Sequence, residues 1–153
     1  VNSGVLLMNL HGLRQAGFEE RFLSLLNTYQ LDTIAPDQDY INAMCKGHIH
    51  YLPAEWDAMP GPGEPLEHPC LIHYNLFSKP WCYDGIQYGD VFWRYAAESG
   101  YEEELRAHKA AYSDEQKQAD ARCMQLLVTR GVEITRSDET FRKLAESGVA
   151  VRL

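Results

Sequence analysis

His73 and Lys79 stand six residues apart in IHYNLFSKPW, residues 72–81, with Pro80 and Trp81 directly behind the lysine. An imidazole can ligate a divalent cation, and an ammonium is a compact point charge suited to phosphate oxygens. Pro80 stiffens the backbone on which the lysine is carried. The segment therefore suits a phosphate held by a metal ion and a cation. Taken alone, a histidine ending an apolar run also reads as a packed structural residue, and KPW as a loop with an aromatic anchor. A second polar group, Asn2-Ser3-Gly4, precedes the apolar run of residues 5–10. The Asn2 amide both donates and accepts, which is the pairing that grips sugar hydroxyls. Gly4 permits close backbone approach, although the triplet also reads as a turn. A third group, Asp37-Gln38-Asp39, follows Pro36 and opens an amphipathic helix pattern. An acid and an amide there form a polar shelf, and Asp37 equally reads as an N-cap.

Cysteine and histidine offer a rival chemistry. Cys45 and His48, and again Cys70 and His73, have two residues between them, a spacing that tetrahedral zinc accepts. Against a zinc module, IHY reads as strand in both places, and a strand turns alternate side chains to opposite faces.

The elements that must position these residues follow from periodicity. Residues 5–10 have the continuous apolar character of a buried strand. Phe18, Phe22, Leu25, Leu26 and Tyr29 recur at three and four, predicting one helix over about residues 12–29. A shorter helix carries Tyr40, Ile41, Met44 and Cys45, with Gly47 placed to end it. IHYLP and CLIHY are further strand candidates, separated by a loop over residues 57–69 that holds four prolines and two glycines. Asp90 is placed to cap a helix. Ser113 with Gln116 forms a capping box for another, closed by Gly131, and Ser137 to cap a last one ending at Gly148. The order predicts an α/β domain followed by C-terminal helices.

Composition sets the outer limits. The 153-residue chain is long enough to bury a core, and its 45% hydrophobic content argues against disorder. A formal charge of −8 argues against wholesale attraction to nucleic acid or an anionic membrane. Four scattered cysteines with no CxxC suit reduced thiols. The chain opens on VNSGVLLMNL without a methionine or a lead-in, which reads as the interior of a longer folded unit.

Taken in order, NSGVLLMNL, DQDYIN, YLP and HYNLFSKPW resemble the C-terminal half of glycosyltransferase family 8. Its signature runs roughly FNSGVLLINL, DQDxxN, YLPxxWN and HxxGxxKPW, and this chain is similar to it from about residue 2 to 81. YGDVFWRYAAESGYEEEL looks like the stretch that follows in bacterial members. The resemblance implies a GT-A fold, a Rossmann-like domain with a mixed sheet, here as its C-terminal portion over residues 1–112. Residues 113–153 would be a helical extension.

It also implies a retaining hexosyltransferase that uses a UDP-sugar, with Mn²⁺ or Mg²⁺ as cofactor. By motif, His73 falls on the metal ligand, and Lys79 and Leu76 on diphosphate-binding positions. Asn2, Ser3 and Gly4 fall on the donor-sugar lining, Asp37 on the sugar-hydroxyl carboxylate, and Gln38 beside the anomeric carbon. The acceptor would be a saccharide or glycolipid, the process lipopolysaccharide or other surface-polysaccharide synthesis. The place would be the cytoplasm, with peripheral association at the inner membrane face, and nucleic acid would not be a partner. Two departures are visible. Leu76 stands where the family has glycine, and no DxD precedes Asn2. They motivate a second reading, a non-catalytic homologue that binds a partner.

Overall fold

Asn9 opens the helical part of the chain, its side chain accepting from the Gly12 amide at 3.0 Å to cap α1 (Leu10–Gln15). The single helix expected over residues 12–29 is divided. Gly17 takes φ 64° between α1 and α2 (Phe18–Thr28), and a left-handed residue cannot continue a right-handed helix. Glycine adopts that conformation without the cost a Cβ would add. α3 (Pro36–Met44) starts with Pro36 in its first turn, where the missing N–H costs nothing. Asp37 therefore lies inside the first turn, not at the N-cap, where its charge still faces the positive end of the helix dipole. The capping work passes to Asp39, whose Oδ2 accepts from the Ile34 and Ala35 amides at 2.9 and 3.2 Å.

The computed structural model describes residues 1–153 as two compact units, Val1–Tyr51 with Gln125–Leu153, and Leu52–Met124. The first unit has an apolar core of Leu25, Tyr40, Met44 and Val151. Phe22 and Phe141 meet the Tyr40 ring edge-on at 5.0 and 4.7 Å, a favoured geometry for aromatic pairs. Phe141 begins α7 (Phe141–Glu146), capped by Thr140, whose hydroxyl accepts from the Lys143 amide at 3.3 Å. Ser137, the expected cap, is used elsewhere: its hydroxyl donates to Asp32 at 2.6 Å. At the C-terminal end the Leu153 amide donates to the Met44 carbonyl at 2.9 Å.

The second unit holds a short 3₁₀ turn (Ala54–Asp57), α4 (Gly89–Ser99) and α5 (Glu102–Ala111). Asp90 lies in the first turn of α4, and the N-cap is Tyr88 at φ 60°. α6 (Asp114–Ile134) begins in this unit and runs into the other. Its start is the capping box read from the sequence. Gln116 donates its amide to Ser113 Oγ at 3.2 Å, and Ser113 returns its own to Gln116 Oε1 at 2.8 Å. α6 passes through Gly131, which was expected to close it. A Cβ there would lie 3.3 Å from Ile34 Cδ1, so the glycine serves close packing and not termination. Tyr83 and Tyr112 both donate to Asp120 Oδ2, each at 2.6 Å, which ties α6 to the segment ahead of it. The two donated bonds hold the Asp120 carboxyl below its usual range. The same carboxylate pushes the Tyr112 phenol up to about 12.

The expected α/β architecture is not what these residues adopt. The structure contains helices and no β-strand, and one isolated parallel bridge joins Ala58 to Ile72. That result overturns the Rossmann-like GT-A sheet expected for residues 1–112. Of the stretch 5–10, Leu10 opens α1 and the rest runs without a ladder partner, with Leu7 91% exposed. Apolar content favours burial, but a strand exists only where a neighbour pairs its main-chain groups. No ladder forms at residues 5–10. IHYLP likewise stays unpaired, and CLIHY contributes just the bridge at Ile72. No helix is long and apolar enough to cross a membrane.

Candidate functional site

Ser3 is the residue that joins two of the polar groups. Its amide donates to Gln38 Oε1 at 3.2 Å, across thirty-five positions of sequence. Its side chain bonds the Asp37 carboxylate, and this, with the Gln38 amide, holds the Asp37 carboxyl below its usual range. Asn2 and Gly4 close a tight turn around Ser3, with the Gly4 amide donating to Asn2 Oδ1 at 2.8 Å. Asn42, one turn along α3 from Gln38, donates through Nδ2 to the Val1 and Gln38 carbonyls at 2.8 and 2.9 Å. Asn2, Ser3, Gly4, Asp37 and Gln38 are thus one assembly within the first unit. Asp37 is exposed and ionised at its head, with Gln38 half-buried beside it. Carboxylate oxygens and an amide dipole stand together here, groups able to hydrogen-bond hydroxyls.

His73, Leu76 and Lys79 belong to the second unit. The His73 amide donates to the Ala58 carbonyl at 2.9 Å, part of the isolated bridge that fixes this backbone. Its Nδ1 lies 3.0 Å from Asp57 Oδ1. A carboxylate behind one ring nitrogen orients the imidazole and leaves Nε2 as the free lone pair or donor. Lys79 Nζ donates to the Tyr74 carbonyl and sits 5.3 Å from the Trp81 ring centroid. Tyr74, Trp81 and Phe92 pack edge-on or tilted against one another, and Pro80 is fully buried. The lysine is thus carried on a packed aromatic segment.

Leu76 carries the clearest conflict between residue and backbone. It takes φ 45°, in the left-handed region, with its side chain 52% exposed. For a residue with a branched side chain that conformation costs about 1–2 kcal/mol. The backbone here has the shape that glycine is suited to. Leu76→Gly is expected to raise stability by about 0.5–1 kcal/mol, the relief of strain less the extra freedom of unfolded glycine. Urea unfolding checks this, and Leu76→Ala, which keeps the Cβ, should gain nothing.

Two members of these assemblies had no role in the sequence reading. Asp57 lies at the border of the Pro/Gly-rich loop, where no periodicity marks it, and it follows YLPAEW at a position the family motif gives to asparagine. Asn42 ends DQDYIN, and its spacing of four from Gln38 on a helix was the available signal.

The residues present do not make a manganese site by themselves. His73 supplies one donor, Asp57 is engaged with its other ring nitrogen, and no three His, Cys, Asp or Glu side chains gather to hold an ion. The same finding removes the zinc module: Cys45 with His48 and Cys70 with His73 build no such cluster, and all four cysteines are free.

Compared with known proteins, residues 1–85 match the model of the family described as Glycosyl transferase family 8. No curated protein and no solved structure matches the chain.

Proposed function

The chain belongs to glycosyltransferase family 8, and on that premise we propose that it transfers a hexose from a UDP-sugar to a saccharide or glycolipid acceptor, retaining anomeric configuration. The proposed setting is surface-polysaccharide synthesis at the cytoplasmic face of the membrane. The observation that carries this reading is Ser3, which binds Asp37 and Gln38 together beside Asn2 and Gly4. Five residues implied by the family motifs, thirty-odd positions apart, form one polar surface of the kind a sugar ring needs.

In this reading Asp37 accepts from sugar hydroxyls and Gln38 presents its amide oxygen to the anomeric carbon. The bond from that carbon to the β-phosphate oxygen breaks, and its electron pair leaves with UDP. The family motif assigns Lys79, in the second unit, to the negative charge that develops on the phosphate, where a fixed cation acts most strongly. An amide oxygen is a poor nucleophile, so the acceptor hydroxyl attacks from the same face, its proton passing to the departing phosphate oxygen. A divalent ion arriving with the diphosphate would find His73 Nε2 as its protein ligand.

The test is calorimetric titration of UDP, UDP-glucose and UDP-galactose into the chain and into Asp37→Asn. One UDP-sugar should bind more tightly than UDP, and Asp37→Asn should remove that advantage, worth about tenfold for a charged hydrogen bond. Repeating the titration with Mn²⁺ and His73→Ala tests the metal ligand separately. If neither UDP nor a UDP-sugar binds, residues 1–153 do not form a donor site by themselves, and repeating the titration on a chain with the upstream half decides between a divided transferase and the non-catalytic, partner-binding reading.

A further inference from the structure

Trp81, Tyr101, Glu104, Leu105 and His108 line a groove of about 380 Å³ in the second unit. Four of these residues fall at steps of three, four and seven from Tyr101, so α5 and its N-cap present them as one stripe. All four lie beyond the residues that the family match covers. Tyr101 is 61% exposed, and its ring has no aromatic partner within the chain. Glu104 is exposed and forms no hydrogen bond or ion pair. His108 is steadied from one side, its Nε2 lying 3.8 Å from the buried Cys82 sulfur. The groove thus combines two aromatic rings, an aliphatic floor, an unengaged carboxylate and an imidazole.

These parts fit one chemistry. A pyranose ring offers C–H faces that lie on aromatic rings, and hydroxyl edges that donate to carboxylate and exchange with imidazole. An anionic ligand is disfavoured by Glu104 and by Glu103 on the same first turn, while Glu102 is paired with Arg106. A purely apolar ligand would strip water from Glu104 without replacing its hydrogen bonds. The groove's volume lies within the range of small-molecule sites. Trp81 also links the groove to Lys79, whose ammonium is 5.3 Å from its ring centroid. We propose that this groove is a saccharide subsite, holding a neutral sugar ring of the acceptor against Tyr101 and Trp81 with Glu104 on its hydroxyls. The proposal rests on the transferase reading above for the word acceptor, and on the groove alone for the binding.

The experiment uses methyl α- and β-glucosides and methyl α- and β-galactosides, with no nucleotide present, followed by saturation-transfer NMR and tryptophan fluorescence. At least one glycoside is expected to bind in the millimolar range. Tyr101→Ala and Glu104→Gln should each weaken it about tenfold, while Tyr101→Phe, which keeps the ring, should retain it. Both altered side chains are exposed, and thermal unfolding of each variant confirms that it folds. Absence of binding by all four glycosides, or binding that neither substitution weakens, overturns the subsite. Because nucleotide is left out, a failed UDP titration and a failed glycoside titration remain separate results. Glycoside binding without UDP binding keeps the subsite and leaves residues 1–153 without a donor site of their own.

Discussion

Lys79→Met is expected to weaken UDP binding about 10–100-fold, the loss of a charge-assisted phosphate contact worth roughly 1.5–3 kcal/mol. Methionine keeps most of the aliphatic stem that lies by Trp81 and removes the charge. The fold should survive, because Pro80 is buried whatever stands at 79, and the Tyr74–Trp81–Phe92 packing is independent of the ammonium. In the free chain Nζ donates to the Tyr74 carbonyl and lies over the Trp81 ring. Phosphate would compete for that ammonium, and a doubly negative oxygen cluster outbids a neutral carbonyl. Calorimetry at low salt, where the Coulomb contribution is least screened, is the sharpest comparison. Equal affinity in the two proteins would assign Lys79 a purely structural part, as the tether of the 73–81 segment.

Met44→Ala is expected to destabilise the first unit by about 3 kcal/mol, lowering its melting temperature by roughly 10 °C. Met44 has no solvent exposure and is packed with Leu25, Tyr40 and Val151. Truncation removes three heavy atoms from a place that three elements share, so the cavity cannot close by moving one of them. Urea unfolding monitored by circular dichroism reads the loss directly. A change below about 1 kcal/mol would mean that the core relaxes around the gap, and that Met44 is less central than its burial indicates. Tyr40 and Asp37 sit on the same helix, so this core is also what holds the Ser3 assembly in register.

Helix-forming signals proved legible where the sequence carries its own partners. Ser113 and Gln116 are three residues apart, and the capping box they predict is complete within that interval. The Gly17 break was missed because Phe18, Phe22 and Leu25 keep their spacing regardless of what precedes them. The strands were misread for a different reason. Residues 5–10 show their apolar character locally, but pairing depends on a segment elsewhere, and no pattern inside six residues reports it. Ser137 shows the same limit at a single side chain: its hydroxyl was available for a cap, and Asp32, 105 positions away, took it. The grouping of Asn2–Gly4 with Asp37 and Gln38 was legible because four motifs stand in order, which no single one would have shown. Asp57 could not be read, since its partner His73 is defined by a bridge that appears only in three dimensions. The stripe of Tyr101, Glu104 and His108 was visible as spacing, but not the aromatic wall that Trp81 adds to it.

The first unit is built from two stretches of chain, Val1–Tyr51 and Gln125–Leu153, with the whole second unit between them. That arrangement fixes an order of assembly. The second unit is contiguous and can close on itself as soon as Met124 is available. The first cannot finish its core until Val151 reaches Leu25, Tyr40 and Met44, which requires a loop of more than a hundred residues to shut. Loop closure on that scale is slow, and its entropy is recovered only when the last contacts form. During synthesis residues 1–51 leave the ribosome before residues 125–153, yet the helix beneath Ser3 is secured only when the later stretch arrives. Asp37 and Gln38 acquire their final setting only after Val151 and Leu153 have come back to Met44.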